Sequence, residues 1–368
     1  MRVRRSPHLV GYWQGGALHF YNYATRRSAK STPFVCSILD TCHEWRTLPQ
    51  IAARIGVTPS AGFDELIARL VSLTLLEESG RGRDARNAAL DVLASWNPEA
   101  GFFHMATRDV PFASPKRVAR QERLRELHGA APRPVKRYPG AEMVPLRPPP
   151  DEPFVRILNA RRTWRRYSSS PVMLDELATL LGVTAGVQRW ALVSTGALPL
   201  KTSPSGGARH GIECYVVVRA VRGIRPGVYH YASDAHRLER LRGRVSDARL
   251  RRYVPNSGYF ARASAMVFFT AVFERILWRY PYSRAYRAAL IEAGHVCQTF
   301  LLTATWLGLA PYCVLGLADS LIEEDLGIDG ITESVLYCAG VGRPPRGSTW
   351  APLTRGRLAT RPNPALTP

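Results

Sequence analysis

The sequence predicts an α+β fold, a central, mostly antiparallel sheet wrapped by helices, with a smaller unit ahead of it. Two features point there. In the C-terminal half, apolar runs of strand length alternate with longer stretches of helical apolar spacing, the pattern of a sheet covered by helices. The N-terminal residues instead follow a glycine hairpin with three helical stretches and read as a separate unit.

That first unit spans residues 1–80. His8–Trp13 and Ala17–Tyr23 flank Gln14-Gly15-Gly16, a hairpin signal. Helices are expected from Pro33 to Trp45, from Leu48 to Ile55 behind a Thr47 cap, and from Gly62 to Glu77 with Leu66, Leu70 and Leu73 on one face. The order is similar to a winged helix. A DNA-reading helix presents basic or amide side chains to the groove. The third stretch and its end carry Asp64, Glu65, Glu77 and Glu78 against Arg69 alone, so peptide docking or a structural role is expected in place of DNA binding.

Residues 81–150 read as a connecting region, with a basic helix-like run from Pro115 to His128 and prolines at Pro132, Pro134 and Pro148–Pro150. His104, among Phe102, Phe103 and Met105, is expected to pack and not to catalyse. The main domain, 151–347, follows. Ile212–Val218 is a β-branched run, and Gly227–Tyr231 and His236–Leu241 form a hairpin. Ala265–Val272 is a continuous apolar core strand, and Arg284 to Gly308 is a long helix closed by glycine. Strands over Pro311–Leu317 and Glu333–Arg343 complete the domain. Residues 348–368, rich in Pro, Thr and Arg, form an expected flexible tail.

With 368 residues and 46% hydrophobic content the chain can bury a large core. It has no apolar run long enough for a membrane span, and its start lacks the apolar core of a signal peptide. Six cysteines without Cys-x-x-Cys spacing indicate neither zinc nor a disulfide framework, so reduced thiols in a cytoplasm are expected. The net charge of +21 is spread along the chain as arginine. That favours a solvated basic surface over nucleic-acid binding, with attraction of acidic peptides as a lesser reading.

Two segments carry the chemistry. Arg161-Arg162-Thr163-Trp164-Arg165-Arg166-Tyr167 combines guanidinium forks with a hydroxyl, a donor set matched to phosphate oxygens. Pro204-Ser205-Gly206-Gly207-Ala208-Arg209-His210 is a small-residue loop ahead of a buried strand, where backbone can approach a flat or anionic ligand. Taken alone, each has a plainer reading, a solvated basic face and an ordinary turn. Together they resemble the FMN-binding elements of the nitroreductase superfamily, and the form of the second loop is similar to that of the SagB-type thiazole/oxazole dehydrogenases. The resemblance covers residues near 155 to 345. It implies FMN as cofactor, held at the phosphate by Arg161, Arg162, Thr163 and Arg165, on the ring side by Pro204, Ser205, Gly206 and Arg209, and more weakly by Arg343. It also implies a homodimer with FMN at the interface, a winged helix ahead of the catalytic domain, and partner biosynthetic enzymes.

The implied activity is dehydrogenation of azoline-type residues in a ribosomally made peptide or a product derived from one. A flavin takes the hydride and a protein base takes the proton. In the SagB-type azoline oxidases a Lys-Tyr pair is implicated in the proton step. The matching positions here are Arg279 and Tyr280. Arginine stays protonated and cannot be the base, which assigns proton handling to Tyr280 and a fixed positive charge to Arg279. Tyr282 and Tyr286 are expected to pack at a surface, and His210 reads equally as a flavin contact or a satisfied strand-edge histidine. Glu292 and His295 lack a third ligand for a metal and are expected to make hydrogen bonds. Two other functions stay open at this point: a nicotinamide-dependent nitroreductase, and a non-catalytic scaffold member of the family.

Overall fold

The computed structural model describes residues 1–80, 98–109, 135, 136 and 140–347. The expected Pro115–His128 run and the tail 348–368 lie outside the described residues. The N-terminal unit runs β1 (Arg2–Arg5), β2 (Leu9–Gln14), β3 (Ala17–Asn22), β4 (Arg27–Lys30), α1 (Pro33–Thr41), β5 (Arg46–Thr47), α2 (Leu48–Ile55), α3 (Ala61–Ser72) and β6 (Leu76–Glu78). The β2–β3 hairpin turns through Gly15 and Gly16 at φ +57° and +76°, a left-handed pair that glycine adopts without a Cβ clash. Two helices end earlier than their apolar spacing suggests. The chain leaves α1 and α3 to form β5 and β6, both of which pair with β1. Val3, Ile38, Leu39, Ile51, Phe63 and Ile67 fill the small core between them.

Within the stretch expected as a connector, Pro98–Thr107 is a helix, α4. It joins the two halves. Its Ala100 and Met105, with Tyr23 and Ala24 of the first unit, share one core with the main sheet. A Cβ at Gly101 would lie 2.9 Å from the Tyr23 ring, so glycine permits that contact. His104 is buried, and its ring nitrogens meet the Tyr286 hydroxyl and the Gly330 carbonyl, each at 3.0 Å. Arg108 pairs with Glu323, and the Asp109 carboxylate accepts from the Ser320 amide.

The main domain continues with α5 (Pro153–Ala160), β7 (Val172–Met173), α6 (Leu174–Ala185), β8 (Arg189–Val193), β9 (Gly196–Leu200), β10 (Ile212–Val218), β11 (Val221–Arg222), β12 (Gly227–Ala232), β13 (Arg237–Arg242), α7 (Asp247–Tyr253), β14 (Ala265–Val272), α8 (Phe273–Leu277), α9 (Ala285–Trp306), β15 (Ala310–Val314), α10 (Asp319–Leu326) and β16 (Glu333–Gly342). Its sheet has the order β13-β12-β10-β14-β16-β15, antiparallel throughout. Strand β14 is buried along nearly its whole length, because α9 covers one face and α7, α10 and Pro255–Arg262 cover the other. That two-sided burial is why it reads as an unbroken apolar run. Strand β15 stops at Val314, short of the expected Leu317, and Leu315 is exposed. Among the described residues no helix is long and apolar enough to cross a membrane.

The register fixes where the motifs lie. Ile212 pairs with Ala271, which pairs with Ser334, whereas Val218 pairs with Ala265, which pairs with Val341. The loop before Ile212 is therefore at one end of the sheet, and Arg343 leaves at the other.

Candidate functional site

Residues 203–211 form a loop pinned from beneath by α9. The Ser205 hydroxyl donates to Glu292 Oε1 at 2.8 Å, the Gly206 amide donates to the same oxygen at 3.0 Å, and Ser205 Oγ accepts from the His210 amide at 2.8 Å. Ser203 Oγ meets Thr299 Oγ1, two turns along the helix, at 2.8 Å. The loop needs this hold. Gly207, Ala208 and His210 have φ of +60°, +51° and +44°, and left-handed backbone costs roughly 1 kcal/mol or more per non-glycine residue.

Arg279 and Tyr280 close over the loop from the turn after α8. A Cβ at Gly206 would stand 3.2 Å from the Tyr280 ring, and one at Gly207 would stand 3.3 Å from the Tyr280 hydroxyl and 3.5 Å from Arg279 Cγ. The two glycines thus let the tyrosine and arginine lie directly on the backbone. Arg209 stacks on Trp278, its Cζ 4.1 Å from the ring centroid, a cation–π contact. Among the described residues the buried Arg209 Nε and Glu292 Oε2 have no hydrogen-bond partner, so one donor on the loop and one acceptor on α9 beneath it stay unused.

The loop also forms a wall of a cavity of about 860 Å³, with Arg209, His210 and Trp278 on one side and Trp190 and Leu198 of the β8–β9 hairpin on the other. Lys201, Glu213, His230, Glu239 and Arg275 supply charge there. Burial lowers Lys201 below an ordinary lysine, and its Nζ donates to Ser233 Oγ at 3.1 Å. Burial likewise lowers His210 to about 4, which leaves a neutral ring at neutral pH. Glu213 lies below the usual carboxylate range because His230 and Arg275 offset its burial, and His230 is raised by its hydrogen bond to Glu213.

The arginine-rich segment runs past the other end of the sheet. The Trp164 amide donates to the Pro311 carbonyl of β15, and the Ser168 amide donates to the Arg343 carbonyl. Arg161 lies near Cys297 and Cys313; the neighbouring Cys297 thiol lowers Cys313 below an ordinary cysteine, and the Arg161 charge adds to this. Neither Arg161 nor Arg165 forms an ion pair with a described residue. Arg162 Nη1 donates to the Asn159 and Arg161 carbonyls. Arg343 is engaged by Glu176 at 2.6 Å and by the Pro171 carbonyl. Within one chain, then, Ser205, Gly206, Arg209, Arg279 and Tyr280 come together, while Arg165 and Arg343 lie at the remote end of the sheet. Strand β16 spans ten residues between those ends, roughly 30 Å.

Tyr286 faces His104 and not the cavity. Glu292 is buried whereas His295 is exposed, so they share no site. Sequence reasoning passed over Lys201, just after β9, Glu213, within β10, and Trp278, at the end of α8, none of which shows a spacing of its own.

A central antiparallel sheet covered by a long helix, with a strained Pro-Ser-Gly-Gly loop at one end, is the frame in which these side chains sit. The nitroreductase family profile matches residues 158–343, and the chain belongs to this family, whose general activity is oxidoreduction. It is 35% identical over 187 residues to the nitroreductase MJ1384 of Methanocaldococcus jannaschii, covering 51% of this chain and 89% of that one. It is 34% identical over 177 residues to the trifolitoxin-processing protein TfxB of Rhizobium leguminosarum bv. trifolii, covering 46% and 47%, respectively. It is 28% identical over 138 residues to the microcin B17-processing protein McbC of Escherichia coli, covering 36% and 50%. The alignments span about half the length of TfxB and McbC.

Proposed function

We propose that the protein is an FMN-dependent dehydrogenase of the SagB type, acting on azoline-type residues of a ribosomally made peptide or a product derived from one. The observation that carries the reading is the closure of Arg279 and Tyr280 onto the Gly206-Gly207 backbone. It puts a phenol and a fixed cation beside a loop that still offers a buried donor and acceptor. The likeness to two peptide-processing proteins favours a peptide substrate over a nitroaromatic one.

The residues fit the cofactor in two groups. Arg161, Thr163 and Arg165 would take the phosphate, since neither arginine pairs with a carboxylate among the described residues and their forks match phosphate geometry. Pro204, Ser205, Gly206 and Arg209 would face the ring, with Arg162 and Arg343 lesser contributors because both guanidinium groups already have carbonyl or carboxylate partners. Bound FMN would supply a two-electron acceptor, leaving proton traffic to the chain. Tyr280 then handles the proton, and Arg279 stabilises negative charge on the phenol or on the substrate carbon.

The separation of Arg165 from the Ser205 loop along the sheet supports a homodimer in which one protomer provides part of the phosphate segment and its partner the loop. Large apolar side chains exposed at Phe154, Trp190, Leu192, Ile291 and Leu315 favour such an interface. Residues 1–80 are proposed to be a winged-helix unit that docks peptide, 151–347 the flavin domain, and the whole a cytoplasmic enzyme working with partner biosynthetic proteins. Changing Arg161 and Arg165 together to Ala tests the cofactor site. Losing two charge-assisted contacts of about 1.5–3 kcal/mol each should weaken FMN at least roughly tenfold. Unchanged flavin retention would move the phosphate elsewhere.

A further inference from the structure

At the sheet end remote from Ser205, a cleft of about 1060 Å³ is lined by Arg166, Arg219, Arg251 and Arg262, together with the Arg165 assigned above to the phosphate, and among the described residues Asp247 is the one acidic side chain on its wall. We propose that this cleft docks an acidic stretch of the peptide substrate. The proposal rests on the peptide-processing reading and adds where and by what chemistry the peptide is held.

The arginines converge from separate segments: the one before Ser168, the turn after β10, α7, and the end of Pro255–Arg262. A local charge run cannot produce that. The segments are also fixed in place, because the Arg219 and Ala220 amides both donate to the Ser264 carbonyl and the Ser168 amide donates to Arg343. Arg219 is steadied by Asp247 at 3.4 Å. Arg165, Arg166, Arg251 and Arg262 form no ion pair with a described residue. Two nearby arginines are neutralised instead: Arg242 and Arg249 both meet Asp325, and Arg249 also meets Glu324. Residues 348–368, which follow the cleft's Pro345 closely in sequence, contain no Asp or Glu that could neutralise it.

Guanidinium forks in a concave wall match carboxylates bidentately, and the Ser168 and Ser169 hydroxyls add short-range donors. A nucleic acid is the weaker fit. Single strands use a long basic track with several stacking aromatics, and this wall offers only Tyr167 and Tyr259.

The test is fluorescence anisotropy of a fluorescein-labelled octaglutamate peptide with the full chain at low ionic strength. The comparison is between Arg251→Glu/Arg262→Glu and a charge-matched control, Arg240→Glu/Arg244→Glu, on exposed residues outside the cleft. The cleft variant should weaken binding by roughly tenfold or more and the control by about twofold or less, with flavin content equal in all three proteins. Equal losses in both variants would show nonspecific attraction and overturn the proposal. Loss of flavin in the cleft variant would make the cleft the cofactor's phosphate site, and displacement of the peptide by an equally charged oligothymidylate at lower concentration would make it a nucleic-acid site. Either result overturns it. A protein that binds the peptide through the cleft yet holds no flavin would contradict the dehydrogenase reading alone.

Discussion

Ser205 is held from two directions, donating to Glu292 and accepting from the His210 amide. Ser205→Ala removes both bonds, leaving Glu292 Oε1 to the Gly206 amide and the part-buried His210 amide without this acceptor, which should cost about 1–3 kcal/mol. A lower denaturation midpoint and faster proteolysis between residues 203 and 211 would register it, and an unchanged midpoint would show that the loop is fixed by other contacts. Tyr280→Phe should keep the flavin while lowering turnover by roughly 10²–10⁴, the range for a lost acid–base group. Arg279→Lys should stay partly active, since the positive charge survives; full activity in Tyr280→Phe would remove the assignment. Ser205 and Tyr280 were legible because each belongs to a short motif with a recognisable order. Glu292 was not. Its partner lies 87 residues earlier, and a carboxylate next to a histidine on a helix gives no sign of a distant loop.

Helix α4 illustrates what an element adds beyond its own sequence. Burial lowers His104 from an ordinary value of 6.5 to about 4. Between those values the unfolded chain binds a proton that the folded one refuses, so this group's contribution is present above pH 6.5 and is lost as pH falls toward 4. Asp319, raised by burial to about 6 at the same contact, works in the opposite sense. The clean readout is therefore a comparison with His104→Gln. The protection of amides 98–109, corrected for the intrinsic pH dependence of exchange, should fall from pH 6.5 to 4 more steeply in the parent than in the variant, and identical profiles would remove His104 from the docking. Strands β10, β14 and β16 were readable because burial on both faces makes them continuous apolar runs. The β8–β9 hairpin escaped notice because Trp190, Leu192 and Val193 are exposed, so no alternation marks it. Helices α7 and α10 are too short for helical spacing to stand out.

For the whole molecule the account expects two copies, because Arg165 and the Ser205 loop sit at opposite sheet ends. Sedimentation should find the flavin travelling with a dimer; a flavin-loaded monomer would contradict the shared site. The sequence carried the order of the sheet-forming segments, since each strand is a local signal. It could not carry the distance between motifs, which depends on which strand ends coincide. The most direct test of the central claim is mass spectrometry of an azoline-containing peptide incubated with FMN-loaded protein. The account predicts a loss of two hydrogens for each ring oxidised, strongly slowed in Tyr280→Phe with its flavin intact. An unchanged peptide mass from flavin-loaded dimer, with rapid flavin reduction by a nicotinamide nucleotide, would contradict it.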